Sequence, residues 1–97
     1  MSSALRDLVS ARREQVMLVA ARHHAYRIRL FGSVARGDEG PDSDIDFLVD
    51  FDESSSLFDL MRMSRELEEL LGRPVDVVSA AGLKDRDQHI LSESVDL

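Results

Sequence analysis

The chain has no cysteine, which excludes disulfides, thiolate zinc sites and thiol catalysis, and leaves nothing that points to an oxidising compartment. It has no apolar run approaching the ~20 residues of a membrane span, and its N-terminus lacks the apolar core of a signal peptide. A cytoplasmic location is the expectation. Ninety-seven residues suffice for one small domain spanning 1–97, with no room for a second substrate domain. Repeats, low-complexity segments and linkers are also missing. Basic charge is scarce: 12 Lys and Arg stand against 19 Asp and Glu, a net −7. That balance argues against direct nucleic-acid binding.

The average hides a segregation. Residues 1–37 carry seven arginines against Asp7 and Glu14, whereas residues 38–53 carry eight acids and no base. In isolation the acidic run reads as a solvated loop, but its acids alternate into an apolar strand, which favours a metal site. The remainder is acidic again, so a basic protein partner fits better than DNA.

Apolar periodicity outlines the elements. Leu5, Leu8, Val9, Val16, Val19 and Ala20 recur at three- and four-residue spacing, predicting one helix from an N-cap at Ser3 to about His24. Arg12 lies within that stripe, where it snorkels at the rim or faces an anion site. His23 and His24 are adjacent, so a helix points them in different directions; a place near a helix C-terminus explains them better than a metal does. Tyr26, Ile28 and Leu30 alternate with Arg27, Arg29 and Phe31 in a half-buried first strand. Gly37 to Ser43 is turn-forming, and Ile45 to Phe51 is a second strand. Its Ile45, Phe47, Val49 and Phe51 share one face, which helices must cover; Asp44, Asp46, Leu48 and Asp50 share the other.

Ser54 to Ser56 supply an N-cap for a helix from about Leu57 to Leu71, with Leu57, Leu60, Met61, Leu67 and Leu71 facing the core and Gly72 ending it. The serines could also meet a phosphate, but the helix that follows favours the cap. Pro74 precedes a third strand, Val75 to Ser79, in which Asp76 is the single ionisable group among valines. A lone carboxylate there must reach water or join a charged site. Leu83 to Leu97 reads as a short helix around Ile90 and Leu91, followed by a frayed or partner-bound tail.

The chemistry concentrates in Leu30 to Phe51. Gly32 and Ser33 end an apolar strand, and a glycine there lets backbone N–H groups approach a phosphate that a Cβ would hold off. A helix starting near Val34 would add partial positive charge. Asp44 and Asp46 leave the same strand face with Cα atoms about 7 Å apart. At an effective dielectric of about 20, two such charges roughly 5 Å apart repel by about 3 kcal/mol. A hard, oxygen-seeking ion such as Mg²⁺ relieves that cost. A phosphate turn beside metal carboxylates indicates phosphoryl or nucleotidyl transfer.

Two other motifs fail on single residues. Gly32 to Gly37 has P-loop glycine spacing, but Asp38 stands where lysine must reach the phosphates. Asp42, Asp44, Asp46 and Glu53 match four positions of a calcium loop, but Phe47 replaces the glycine its sharp turn requires.

The ordered set Gly32-Ser33, Asp44-Ile45-Asp46 and Asp76 resembles the DNA polymerase β-type nucleotidyltransferases. The fuller run, G-S-x-A-R-G at Gly32 to Gly37 and S-D-x-D at Ser43 to Asp46, is similar to minimal nucleotidyltransferase (MNT) domains, antitoxins that act beside HEPN-domain toxins. The resemblance covers almost the whole chain. It implies an α/β (α+β) fold, a short mixed sheet with helices mainly on one face. It further implies that Gly32, Ser33, Arg36 and Ser43 bind ATP, and that Asp44, Asp46 and Asp76 hold two Mg²⁺ ions, Asp76 also taking the acceptor's proton. The implied reaction moves AMP from ATP to a hydroxyl, a tyrosine's, of a HEPN ribonuclease partner and silences it. Two alternatives remain: an antitoxin that neutralises by stoichiometric binding alone, and transfer to a small molecule.

Overall fold

A computed structural model describes residues 4–97, so the expected cap at Ser3 lies outside the described residues. Two helices, α1 (Ala4–Ala11) and α2 (Arg13–Arg22), lead into strand β1 (Ala25–Phe31) and the short helix α3 (Gly32–Arg36). Strand β2 (Ile45–Phe51), helix α4 (Leu57–Leu71) and strand β3 (Val75–Ser79) follow, then helix α5 (Gln88–Glu93) and strand β4 (Val95–Asp96). The strand order is β3-β2-β1-β4. β1 runs antiparallel to β2 and β4, while β2 and β3 are parallel, joined through α4 as a parallel crossover requires.

Period-two alternation sets which side chains meet. Ile28 and Leu30 of β1, Ile45, Phe47 and Val49 of β2, and Val75 and Val77 of β3 form one buried face. Val9, Val16, Val19 and Ala20 of α1 and α2, with Met63, Leu67 and Leu71 of α4, close over it. The opposite face carries Asp46, Asp50 and Asp76. It is not wholly open, because Leu48 on that side is fully buried, flanked in register by Arg29 and Val78. Among the described residues no helix is long and apolar enough to cross a membrane.

Four expectations are corrected. The N-terminal stripe forms two helices: at Arg12 (φ −108°, ψ 17°) the chain turns, and its N–H is shared between Leu8 O at 3.2 Å and Val9 O at 3.1 Å. Val9 and Val16 are still both buried, so the stripe was right and its continuity was not; Arg12 itself is exposed. Tyr26 is 71% exposed, because the β1–β2 register slips between Ala25 and Arg27 and takes Tyr26 out of the alternation. In α4, Leu57 and Met61 are 71% and 58% exposed while Met63 is fully buried. At 3.6 residues per turn Met61 and Met63 lie about 200° apart, so both cannot face the sheet. The C-terminal tail is ordered: Val95 and Asp96 pair with Leu30 and Arg29, Arg27 donates twice to Asp96 (3.0 and 3.1 Å), and Val95 and Leu97 pack on the core.

The expected ends of α4 hold. Ser56 caps it in a reciprocal box in which the Ser56 N–H donates to Asp59 Oδ2 at 2.9 Å. Gly72 ends it in the left-handed region (φ 67°).

Candidate active site

The turn at Gly32 comes first. Its φ of 72° lies in the left-handed region, where a side chain costs roughly 1–2 kcal/mol. A Cβ built there would also collide with Asp46 Oδ2. Phe31 and Asp46 are cross-strand partners in register, so the bend leaving β1 lies directly against the carboxylate on β2. Glycine is therefore required twice, for conformation and for room. Gly32 is also the first residue of α3, with Ser33 second, and Gly37 (φ 78°) ends that helix, which begins two residues earlier than expected from the sequence.

The third carboxylate arrives through the parallel pairing. The β2–β3 register sets Asp46 opposite Asp76, on the face away from the core, and Asp44 precedes β2 by one residue. Asp44 and Asp76 are exposed and Asp46 is half-buried. Burial pushes the Asp46 carboxyl up to about 6, helped by the like charges of Asp76 and Asp44, while Arg36 pulls the other way. An acid destabilised in its ionised form by two neighbouring acids is a place where a cation is favoured. Among the described residues no group of three or more acidic or histidine side chains is drawn together closely enough to hold a metal ion. That is compatible with Mg²⁺, which ordinarily takes one or two carboxylates and draws its remaining oxygens from water and substrate phosphates.

The remaining sequence-selected residues divide. Arg36, half exposed at the end of α3, donates from Nε to Asp38 (3.1 Å) and from Nη1 to Glu93 of α5 (3.0 Å), and its charge is felt at Asp46. Ser43 accepts the Gly40 N–H on its Oγ at 2.8 Å, bracing the turn rather than meeting the carboxylates. The two histidines go to structural partners. His23 is buried with Nε2 3.1 Å from Glu66 of α4, and His24 Nδ1 lies 3.0 Å from Ser54 Oγ.

Three supporting residues escaped the sequence reading. Arg29 and Asp50 form a largely buried ion pair at 2.9 Å further along the same sheet face. Glu39 accepts the Leu5 N–H at 3.0 Å, tying the loop before Asp44 to the start of α1. Arg73 donates to two carbonyls of that loop, Pro41 O at 2.9 Å and Ser43 O at 3.0 Å. All three contacts span more than twenty residues, and nothing local in the sequence announces them.

Beside Asp76 an open groove of about 350 Å³ is lined by Leu60, Met61, Ser64, Arg65 and Glu68. A larger groove of about 530 Å³ between α2 and α4 shares no residue with the carboxylates, so size does not mark the chemistry here.

A mixed sheet with a glycine-serine bend packed against one aspartate, a second aspartate in register beside it and a third just upstream is the arrangement of the polymerase β-type class of nucleotidyltransferase. The chain belongs to the nucleotidyltransferase domain family, whose model matches residues 13–96, and within it to the minimal nucleotidyltransferases. It is 43% identical over 89 residues to a Methanocaldococcus jannaschii protein provisionally named a protein adenylyltransferase, covering 88% of this chain and 92% of that one. A solved structure provisionally described as a minimal nucleotidyltransferase superposes with a TM-score of 0.85 at 47% identity, covering 95% of each chain. A tri-AMPylated HEPN toxin of Shewanella oneidensis in complex with its MNT antitoxin contains a chain matching at TM-score 0.67 and 17% identity, over 90% of this chain and 69% of that one. At that identity the likeness is one of fold.

Proposed function

We propose that this chain is a protein adenylyltransferase that moves AMP from ATP to a tyrosine hydroxyl of a HEPN-type ribonuclease partner and thereby silences it. The observation that carries the reading is the register of β2 and β3, which aligns Asp46 with Asp76 beside the Gly32 bend. Kinship with relatives named for protein adenylylation, and a shared fold with an MNT antitoxin held by its AMPylated toxin, support acceptor and partner.

Asp44, Asp46 and Asp76 would hold two Mg²⁺ ions. Their charge would neutralise the triphosphate and the leaving pyrophosphate. The glycine at position 32 leaves room for backbone N–H groups of the bend to meet phosphate oxygens, with Ser33 beside them. Arg36 supplies a fixed positive charge at the rim. The acceptor enters by the groove at Asp76, whose carboxylate takes the hydroxyl proton as the oxygen bonds to the α-phosphorus. The bond from that phosphorus to the bridging oxygen breaks, and pyrophosphate leaves. An ordinary tyrosine hydroxyl, with a pKa near 10, is mostly protonated at neutral pH, so such assistance is needed.

The test incubates the chain with Mg²⁺, α-labelled ATP and its HEPN partner. Covalent label on the partner is expected, and Asp44→Asn with Asp46→Asn abolishes it without unfolding the chain. Neutralisation of the toxin without label would instead mean inhibition by binding alone.

A further inference from the structure

Asp44 must be held in place, yet among the described residues nothing bonds to its carboxylate. Its backbone neighbours are held on both sides. The carbonyl before it, Ser43 O, accepts from Arg73 Nη2 at 3.0 Å, and the N–H after it, on Ile45, donates to Pro74 O at 3.0 Å. The same Arg73 nitrogen also reaches Pro41 O at 2.9 Å. Residues 73 and 74 thus grip the chain around Asp44, and they open the strand that carries Asp76.

We propose that Arg73 is the positioning residue for Asp44, joining the two halves of the carboxylate cluster through the backbone. The physical reason lies in the geometry of the guanidinium. A planar fork offers two N–H vectors from one nitrogen, matched here to two carbonyls two residues apart in sequence, and so fixes both position and rotation of the loop. Pro74 has no N–H to give and a restricted φ, and it biases Arg73 towards an extended backbone. The pin is therefore preset by the Gly72-Arg73-Pro74 sequence: the glycine stops α4 and the proline directs the chain into β3. Arg73 directs its hydrogen bonds to the backbone carbonyls of Pro41 and Ser43, not to the carboxylates. It acts through Asp44, and residues that orient metal ligands typically change affinity by about 10- to 100-fold when removed.

The inference rests on the reading of Asp44 as a metal ligand, and the test separates the two. Mn²⁺ is titrated into the chain in the presence of a non-hydrolysable ATP analogue, and bound Mn²⁺ is read by electron paramagnetic resonance, without turnover. Asp44→Asn weakens binding. Arg73→Met weakens it by about tenfold, while the double variant binds no more weakly than Asp44→Asn alone, because the pin has nothing left to orient. Wild-type Mn²⁺ affinity in Arg73→Met, or losses that multiply in the double variant, would overturn the inference while leaving the ligand assignment intact. Unchanged affinity in Asp44→Asn would overturn the assignment and the inference together. Should Arg73→Met fail to fold, Arg73→Gln, too short to span both carbonyls, replaces it with the same expected pattern.

Discussion

At Gly32 a single hydrogen in place of a methyl group decides whether two strands can bring a bend and a carboxylate together. Gly32→Ala introduces strain at φ 72° and drives a methyl into Asp46 Oδ2. We expect a loss of roughly 1–2 kcal/mol from the backbone alone, and a fall of about a hundredfold in label transfer from misplacement of Asp46. Urea unfolding and labelling rate read the two separately. Asp46 itself gives a pH signature. Its folded value, about 6, lies above the ordinary 3.8, so the folded chain holds that proton more tightly than the unfolded chain. The stability this contributes is complete below about pH 4 and is lost as pH rises through 6. Asp46→Asn cannot titrate, so relative to wild type it gains stability above pH 6, by about 1 kcal/mol once solvent screening of a half-exposed group is allowed for. Unfolding midpoints at about pH 4 and 7.5 check this, and an equal difference at both would refute it. Gly32, Asp46 and Asp76 could all be picked out in the sequence because a glycine closing an apolar strand and acids inside apolar strands go against local preference. Arg29, Glu39 and Arg73 could not, because a surface-type residue announces no distant partner.

Helix α4 shows how an element can be located correctly and rotated incorrectly. Its start, length and end follow from Ser56, the apolar content and Gly72, all of them local signals. Its phase does not, because Leu57, Phe58, Leu60, Met61 and Met63 are all apolar within two turns and several stripes can be drawn through them. The sheet selects Met63, Leu67 and Leu71 and leaves Leu57, Phe58 and Met61 in water. Met63→Ala should accordingly cost 2–5 kcal/mol, the ordinary range for emptying a buried site of that size, whereas Leu57→Ala should stay within about 0.5 kcal/mol of wild type. Urea melts of the two variants decide it, and the opposite order would mean the helix is turned the other way. The tail failed as a sequence reading for a related reason. Val95 and Asp96 form too short a strand to show a period, and only the free edge of β1 gives them a partner.

Over the whole molecule, the charge segregation read from the sequence takes on a spatial meaning. The acidic run from Asp38 to Glu53 is folded so that Asp46 and Asp50 share one sheet face, and two arginines of the first 37 residues supply counter-charges to it, Arg29 to Asp50 and Arg36 to Asp38, while Arg27 pairs instead with Asp96 of β4. The sequence by itself determined the kind of chemistry and the succession from β1 through β2 and α4 to β3, and it singled out three aspartates and a glycine bend as candidates, because each depends on residue type and on spacing within a few positions. What only the tertiary structure decided is that Asp46 and Asp76, thirty residues apart, stand side by side, and that Arg73 reaches back to the loop before Asp44. Strand register and long-range hydrogen bonds depend on how elements meet across the core. Periodicity restricts that meeting to one face but leaves open which residues lie opposite one another.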